Sequence, residues 1–253
     1  MSNEKHQEAL DSHSYDEQWL RMADFIRFNP GARHRRRLIQ KAITSLGQSP
    51  RNILDAGCGL GSTVIEMANL YPDAKLTGID FSQYAIEWTK KRFPQHNWHI
   101  VNLEQDNKLE KFDLVICTEV IEHLENYTKV ITNLIKLLSH DGTLIITTPA
   151  GRIHETEKRV GHMRHFDPDE LKVVIQNAGG EVLGQSCWGS PGYKVLKYAA
   201  NLKPDFSENE FANGHYGVLK RTSMNILYAL SWVTSRTNSV RGVQNVVTVK
   251  AAV

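Results

Sequence analysis

Short apolar runs alternate with amphipathic segments along the middle of the chain. The runs are bounded by Gly, Pro or Asp and predict strands at Ile53–Ala56, Lys75–Ile79, Trp98–Val101, Phe112–Cys117, Thr143–Thr147 and Glu181–Cys187. Between them, apolar residues spaced three and four apart predict helices at Ser62–Leu70, Gln83–Arg92, Asn126–Leu138 and Asp169–Asn177. Repeated strand–helix units predict an α/β fold, in which helices cover both faces of a parallel sheet.

The segments on either side of this alternation predict additions to one domain. The expected parts are a disordered tail at 1–15 and a single domain at 16–253, made of N-terminal helices at 16–49, a core at 50–189, a helical insertion at 190–241 and a last strand in 242–253. Asn29-Pro30-Gly31 separates two N-terminal helices, and the insertion contains helices predicted at Tyr193–Ala200 and Arg221–Val233.

Composition narrows the class of protein. A hydrophobic content of 41%, a charged content of 23% and a formal net charge of +2 are ordinary for a globular protein and do not favour a nucleic-acid partner. The three cysteines have no metal-like spacing and are an odd count for a disulfide framework, which favours a reducing compartment. No apolar run approaches the ~18 residues of a membrane span and no signal peptide is visible, so we expect a cytoplasmic protein.

The segment ILDAGCGLGS, residues 53–62, indicates a ligand site. A strand, a glycine-rich turn and a helix N-terminus are a general arrangement for nucleotide-like ligands. The spacing differs from the dinucleotide pattern G-x-G-x-x-G, because Gly61 and Ser62 follow Gly57 and Gly59. Asp55 would repel a diphosphate and suits a ligand with a positive charge.

A second acid extends this site. Asp80 ends the next predicted strand, where a carboxylate can accept hydrogen bonds from both hydroxyls of a ribose. Asn102-Leu103-Glu104 follows the third strand and could meet the amine of an adenine. These positions together predict a cationic nucleoside as the ligand.

Four motifs, ILDAGCGLGS, LTGIDFS, FDLVICTEVIEHL and DGTLIITTP, occur in this order and spacing. Over about residues 50–185 the sequence thereby resembles the class I S-adenosylmethionine-dependent methyltransferases. The resemblance implies a Rossmann-like sheet of seven strands, mostly parallel, with an antiparallel last strand supplied by GVQNVVTVKA. It implies S-adenosylmethionine as cofactor, with the methionine part near Asp55, Gly57, Cys58 and Gly59, the ribose and adenine near Asp80 and Phe81, the adenine edge near Asn102 and Leu103, and Thr118 in the same binding set.

A second acidic cluster follows the fourth core strand. Glu119, Glu122 and His123 stand at i, i+3 and i+4, so a helical turn would bring all three side chains to one face. They are suitable ligands for a divalent ion, completed by His162 or His165. The stretch EVIEHL resembles the metal-binding segment of ubiquinone-pathway O-methyltransferases and of small-RNA 3′-end methyltransferases. Acids and a histidine at this turn are also frequent in members of that family without a metal, where they cap the helix or contact the cofactor, and this interpretation is favoured over a metal.

The polar segment Pro149–Phe166 follows a strand directly and is expected to lie over the ligand end of the sheet. Methyl transfer needs an aligned nucleophile, and a base only when the acceptor is a hydroxyl. His123, His162 and His165 are the candidate catalytic imidazoles, and Arg164 could hold an anionic acceptor.

The basic run at residues 33–37 favours the solvated face of a helix, or a clamp for an anionic acceptor. Aromatic residues of the insertion favour core packing, with an acceptor pocket, a homodimer surface or a membrane surface as alternatives.

These observations favour an S-adenosylmethionine-dependent methyltransferase that transfers a methyl group in line to an oxygen of a small molecule or glycan intermediate. The alternatives are a non-catalytic nucleoside-binding regulatory protein, an RNA 2′-O-methyltransferase and an NAD-dependent oxidoreductase, the last disfavoured by Asp55 and Ser62.

Overall fold

The computed structural model describes residues 23–205, 215–236 and 242–252. The predicted tail at 1–15 lies outside the described residues. The helices are α1 (Ala23–Phe28), α2 (Pro30–Ser45), α3 (Ser62–Leu70), α4 (Gln83–Arg92), α5 (Tyr127–Lys136), α6 (Glu155–Arg159), α7 (Pro168–Asn177), α8 (Gly192–Ala200) and α9 (Val218–Thr234). Within the described ranges, none of them combines the length and apolar character that a membrane crossing needs.

Seven strands form the main sheet. They are β1 (Asn52–Ala56), β2 (Lys75–Asp80), β3 (Asn97–Ile100), β4 (Phe112–Thr118), β5 (Leu138–Pro149), β6 (Gly180–Trp188) and β7 (Gln244–Ala251). Their order is β3-β2-β1-β4-β5-β7-β6, and β7 runs antiparallel to both of its neighbours while the other strands are parallel. The predicted seven-stranded sheet with an antiparallel last strand is therefore confirmed.

Helices cover both faces of this sheet. Leu114 and Ile116 of β4 pack in one buried cluster with residues of α2, α3 and α4, whereas Val115 and Cys117 pack in another with residues of α5 and α7. Alternate residues of a strand point to opposite faces, so a central strand buried on both sides has an unbroken apolar sequence. This is why the core strands appear in the sequence as short apolar runs.

The fifth strand is longer than its sequence pattern predicts. The helix expected over Asn126–Leu138 ends at Lys136, and β5 begins at Leu138 rather than at Thr143. The N–H of Phe112 donates to the carbonyl of Leu137, and Leu138 pairs with Phe112 before a register shift. Pairing with the neighbouring strand therefore takes these residues from the helix.

The break between the two N-terminal helices is formed by the predicted residues. Asn29 caps α2, its side-chain oxygen accepting from the N–H of Ala32, and Pro30 occupies the first turn, where its missing N–H costs nothing. The insertion forms α8 and α9, which we call the helical cap. A two-residue ladder between Ser190–Pro191 and Ser235–Arg236 closes its base.

His34 of α2 joins the helical cap to the rest of the domain. Its buried imidazole stacks on Tyr228 at 4.4 Å and on Trp232 at 5.3 Å, and lies 4.4 Å from the ring of Trp188. Nε2 lies 2.8 Å from the hydroxyl of Ser231, which itself donates to a backbone carbonyl, so Nε2 carries the proton. Burial, with Arg33 and Arg37 nearby, lowers the pKa of His34 to about 4.

Acidification should therefore loosen the cap. The histidine of the unfolded chain takes up a proton below its ordinary pKa of 6.5, whereas folded His34 stays neutral until about pH 4. The contribution of His34 to the free energy of unfolding is therefore fully present above pH 6.5 and is lost as the pH falls from 6.5 to 4. We expect this to lower the free energy of unfolding by up to about 3 kcal/mol at pH 4.5. Denaturant titrations from pH 7 to pH 4.5 should show a shallower decline in His34→Phe than in the parent protein. His140→Phe, at a fully exposed site, should retain the parent slope; an unchanged slope in His34→Phe would contradict the assignment.

Candidate functional site

The glycine loop between β1 and α3 lies tightly against the end of the sheet. Gly57 has φ 78°, and a Cβ added there would lie 2.3 Å from a methyl carbon of Val120. The N–H groups of Gly57 and Cys58 both donate to the carbonyl of Ile79, at 2.8 and 2.9 Å. The N–H of Gly61 donates to the carbonyl of Cys58. These donors are already engaged within the protein, which does not suit a loop that cradles phosphates.

Asp80, at the end of β2, fixes the other side of the loop. One carboxylate oxygen accepts from the N–H of Gly59 at 2.9 Å, and the other accepts from the N–H of Ser82 at 2.9 Å. Burial raises the pKa of Asp80, and these two hydrogen bonds act in the opposite direction. A carboxylate has about four lone-pair sites, so capacity remains for two hydroxyl donors from a ligand.

Asp55, near the end of β1, is an acid buried inside the domain. Its side chain is 2% exposed, and neither carboxylate oxygen has a hydrogen-bond partner among the described residues. Burial, followed by the nearby charge of Asp80, raises the pKa of Asp55 to about 8; Thr63 acts the other way without reaching hydrogen-bond geometry. A buried unpaired carboxyl is costly. It fits a ligand that brings a positive charge to it.

The remaining predicted cofactor residues surround these two acids along the strand ends. Phe81 is exposed, and Asn102 accepts from the N–H of Glu104 at 2.9 Å. Leu103 is buried, and its carbonyl accepts from the side-chain amide of Asn133 at 2.9 Å. The N–H of Val101 donates to the carbonyl of Asp80, which brings the segment after β3 beside the end of β2.

Two further predicted cofactor residues, Cys58 and Thr118, differ in their contacts. Cys58 is buried, and burial raises the pKa of its thiol, so it is a small loop residue rather than a nucleophile. The hydroxyl of Thr118 lies 2.7 Å from that of Thr147. Because Thr147 donates to Glu119, Thr118 donates to Thr147. A chain of hydroxyls thus leads from the end of β4 to Glu119.

Glu119 is held away from the other predicted metal ligands. It has φ 55°, an uncommon conformation for a residue with a side chain. One oxygen accepts from Thr147 at 3.1 Å and from the amide of Gln244 at 2.8 Å, and the other pairs with Arg35 at 2.8 Å. Residue spacing did not identify Arg35 or Gln244 as partners of this acid. The basic run at residues 33–37 is the sequence feature that could have indicated Arg35, as a cation placed to bind an anion.

Glu122 and His123 lie in a short 3₁₀ turn, Ile121–His123, rather than on the face of an α-helix. Glu122 is completely buried; one oxygen accepts from Thr148 at 3.1 Å, and the other has no partner among the described residues. Burial, and then Glu119, raises the pKa of Glu122 well above its usual range. Ligand atoms of Glu122, His123 and His162 lie within 4.8 Å of one another, a group to which Glu119 does not belong.

The three candidate catalytic histidines form one row. The rings of His123 and His162 lie 4.7 Å apart, and Nδ1 of His162 lies 3.1 Å from Nε2 of His165. Nδ1 of His165 lies 3.2 Å from the carbonyl of Gly151. A carbonyl can only accept, so neutral His165 carries its proton on Nδ1 and accepts from Nδ1 of His162. Nε2 of neutral His162 is left as an unprotonated lone pair.

Burial keeps this row uncharged. Desolvation is the largest cause that lowers the pKa of each of the three imidazoles, and with the neighbouring His123 it brings the pKa of His162 to about 3. The N–H of Met163 donates to the carbonyl of Glu122 at 3.0 Å. The polar segment at 149–166 therefore lies against the turn after β4, as the sequence predicts.

Helix α8 fixes this segment through polar contacts one turn apart. Lys197 pairs with Glu157 at 2.6 Å, and Asn201 accepts from both the N–H and the hydroxyl of Thr156. Glu157 also accepts from the N–H of His154 at 2.8 Å and lies 3.6 Å from His165. The helical cap thereby determines the position of the histidine row. Sequence reasoning missed Glu157 and Lys197, which are distant in the chain.

A cavity of about 260 Å³ opens beside this contact, but none of its lining residues belongs to the glycine loop. It is lined by Arg152, Ile153, His154, Glu155, Lys158, Tyr198, Asn201 and Leu202. The site is better assigned at the ends of β1, β2 and β4, because the unpaired buried carboxyl groups lie there and not in the cavity.

Comparison with known proteins identifies the family of the chain. Residues 32–185 match the model of a methyltransferase domain family. The chain belongs to this family. A malonyl-acyl-carrier-protein O-methyltransferase of Bacillus cereus is 32% identical in an alignment 173 residues long, which covers 60% of this chain and 63% of that protein. A ubiquinone biosynthesis O-methyltransferase of Rickettsia conorii is 35% identical over 114 residues, 44% of this chain and 37% of that protein.

The chain thus spans less than two thirds of the length of these curated relatives. Among solved structures, a TehB-like S-adenosylmethionine-dependent methyltransferase from Corynebacterium glutamicum superimposes with a TM-score of 0.55. The match covers 95% of this chain and 97% of that one at 16% identity. It shows that the methyltransferase-domain fold extends beyond the family match.

The raised pKa of Asp55 predicts a stability cost in the ligand-free protein. Between pH 3.8, its ordinary pKa, and about pH 8, folded Asp55 keeps a proton that the unfolded chain has lost. With respect to this group, the free energy of unfolding is therefore highest below pH 3.8 and falls as the pH rises through 8. Asp55→Asn should remove that dependence and raise the free energy of unfolding at pH 8 by up to about 5 kcal/mol.

Thermal and denaturant unfolding at pH 5 and pH 8 measure this difference. Asp73→Asn, at an exposed acid, is the matched control and should keep the parent dependence on pH. If Asp55→Asn is less stable than the parent at pH 8, the burial argument fails.

Proposed function

We propose that the protein is an S-adenosylmethionine-dependent methyltransferase that acts on an oxygen of a small molecule or glycan intermediate. Membership of the methyltransferase domain family supports this. The single observation that carries it is the buried, unpartnered carboxyl of Asp55 beside a loop whose N–H donors are engaged. Such a crevice favours a cation over a diphosphate, which argues against a nicotinamide dinucleotide.

Two acids would hold the cofactor at its two polar ends. Asp55, with Gly57, Cys58 and Gly59, would take the methionine part, whose ammonium can ionise the carboxyl of Asp55. When bound, the cofactor supplies an electrophilic methyl group on sulfonium. Asp80 would accept from the ribose hydroxyls with the lone pairs that Gly59 and Ser82 leave unused.

The segment after β3 would contact the base. Phe81 offers an exposed ring at the end of β2, and Asn102 and Leu103 follow the neighbouring strand. Thr118, at the end of β4, would complete the set. Of these, Asn102 has its side-chain oxygen engaged with the N–H of Glu104, which leaves its amide group for an adenine acceptor.

The acceptor would lie between Glu119 and the histidine row. A hydroxyl acceptor must lose its proton as its oxygen bonds to the methyl carbon, and Nε2 of His162 is the unprotonated nitrogen available to take that proton. Because burial lowers the pKa of His162 to about 3, it would take the proton late, once the bond to the methyl carbon has made the hydroxyl strongly acidic. His165 fixes the tautomer of His162, and His123 packs against its ring. These groups are partly buried, which limits their contact with water and assists alignment and desolvation.

Oxygen is favoured as the methylated atom because both curated relatives described above are O-methyltransferases. All three cysteines are free and buried, which supports a cytoplasmic, reducing location.

A divalent ion is the second candidate at the same place. Glu122, His123 and His162 offer three ligand atoms within 4.8 Å, and a bound ion would displace the proton of Glu122. We do not favour it. Glu119, the third acid-cluster residue, is engaged by Arg35, Thr147 and Gln244 and is not part of that group.

Removal of the proposed base should slow methyl transfer. We expect His162→Ala to lower the rate by at least about 100-fold, because a positioned base contributes on that scale. Cofactor affinity should not change, since the residue lies on the acceptor side. For the measurement, the parent protein or the variant is incubated with a cell extract and deuteromethyl cofactor. Mass spectrometry then gives the rate at which labelled product forms. His140→Ala, at an exposed histidine, is the matched control.

The other outcomes separate the alternatives. An extract in which no product is labelled would favour the non-catalytic nucleoside-binding role, and label found in RNA would favour the 2′-O-methyltransferase. Full activity of His162→Ala would remove the proposed base. Loss of activity with a chelator, restored by a divalent ion, would favour the metal set over the general base.

A further inference from the structure

Three helices that pack together are free of acidic residues. Helices α2, α8 and α9 contain no Asp or Glu, and they carry the cations Arg33, Arg35, Arg36, Arg37, Lys41, Lys194, Lys197, Lys220 and Arg221. Some of these cations are neutralised from other elements, since Arg35, Arg36 and Lys197 pair with Glu119, Glu66 and Glu157. The helices still form a surface whose own charges have a single sign.

Three of these cations form a row on α2, on the side next to α9. They are Arg33, Arg37 and Lys41, which are spaced four residues apart and therefore lie on one side of α2. The guanidinium of Arg33 lies 3.8 Å from the centre of the Tyr228 ring, and that of Arg37 lies 3.9 Å from the centre of the Trp232 ring. Arg37 and Lys41 are exposed. Cations therefore flank α9 over about two turns.

The outward face of α9 is apolar, which is the reverse of an ordinary surface helix. The helix turns its buried Met224 and Ser231 toward the domain. At 100° per residue, Leu219, Ile226 and Val233 point to the opposite side. Leu219 is 86% exposed and Val233 is 82% exposed. No charged residue occurs in α9 after Arg221, in a helix about 25 Å long. The exposed polar residues on this side, Thr222 and Ser223, donate their hydroxyls to backbone carbonyls of the helix itself.

Helix α8 adds one exposed apolar residue to the cap. The exposed apolar residues of the cap that do not line the cavity beside the Glu157–Lys197 contact, which we call the cap face, are Val195, Val218, Leu219, Ile226, Leu230 and Val233. The inner side of α8 carries Lys197 and Asn201, which hold the segment at 149–166. One helix therefore contacts the candidate site with one side and presents apolar side chains to solvent with the other.

We propose that the cap face binds the surface of an anionic lipid bilayer. Amphipathic helices with apolar residues on one face and Lys or Arg beside them lie in the interface between lipid headgroups and acyl chains. Each basic residue close to anionic headgroups raises the binding constant by roughly fivefold. The row on α2 supplies such residues, and the apolar residues of α9 supply the area that enters the interface.

Charge argues against the other occupants. A second copy of the chain would place two surfaces of the same sign against each other, which opposes a two-fold pairing. A nucleic acid would use the cations but would leave the apolar residues of α9 in contact with phosphates. An anionic bilayer satisfies both features, because it carries negative charge above an apolar layer.

Vesicle sedimentation tests this with the full-length protein. Vesicles of phosphatidylcholine alone are compared with vesicles that contain phosphatidylglycerol, each at low and high salt. We expect binding only to the anionic vesicles, weakened by salt. Ile226→Asp should lower the partition coefficient by at least about tenfold, because it removes buried apolar area and adds a repelled charge.

Two matched controls separate the cap face from general effects. Val173→Asp makes the same kind of change at an apolar residue of α7 that is 54% exposed, as Ile226 is. The double variant Arg37→Gln with Lys41→Gln should weaken binding several-fold, whereas Lys90→Gln with Lys91→Gln on α4 should not. Circular dichroism of each variant verifies that the fold is retained.

The proposal is wrong if the parent protein does not bind anionic vesicles, or if Val173→Asp and Ile226→Asp lose binding equally. It is also wrong if the parent protein does not bind vesicles and sedimentation velocity shows a dimer that Ile226→Asp converts to a monomer. In that case the cap face joins two copies of the chain. Binding of a soluble polyanion such as polyglutamate that is as tight as binding to vesicles, and unaffected by Ile226→Asp, would assign the surface to an acidic partner.

Discussion

The candidate site depends on one unfavourable burial, that of the Asp55 carboxyl, which has no hydrogen-bond partner in the part of the chain that the structure describes. The packing around it permits little relief. Gly57 lies against Val120, and the loop donors of Gly57 and Cys58 are used by the carbonyl of Ile79. A group held at such a cost is a common feature of binding sites, where the ligand supplies the missing partner. In the proposed function, the preference for a cationic nucleoside over a diphosphate follows from this carboxyl.

The second half of the site is held by the helical cap. His34, stacked between aromatic rings of α9 and β6, ties the cap to α2, and Lys197 with Glu157 ties it to the segment that bears the histidine row. Neutrality at both places comes from burial, which lowers the pKa of His34 and of His162. In the proposed function the cap forms one wall of the acceptor side, and its outer face is left apolar.

The sheet was predictable because the central strands are buried on both faces, so Leu114 to Cys117 form an unbroken apolar run, and because glycines mark the turn after β1. The pairing of Arg35 with Glu119 was not, since it joins residues far apart in the chain and depends on the positive φ of Glu119. The group formed by Glu122, His123 and His162, which Glu119 does not join, was not predictable either, because His162 is distant from the other two in the chain. Spacing predicts neighbours within one helix, but this turn is too short to form that face.

Proton release on cofactor binding is the most direct test of the role of Asp55. Its pKa of about 8 means that the carboxyl is mostly protonated at pH 7 in the ligand-free protein, and a cation beside it would ionise it. Calorimetric titration with S-adenosylmethionine at pH 7, in buffers of different ionisation enthalpy, should show release of nearly one proton, and Asp55→Asn should show none of it. Binding without proton release, or the same release in Asp55→Asn, would contradict the account.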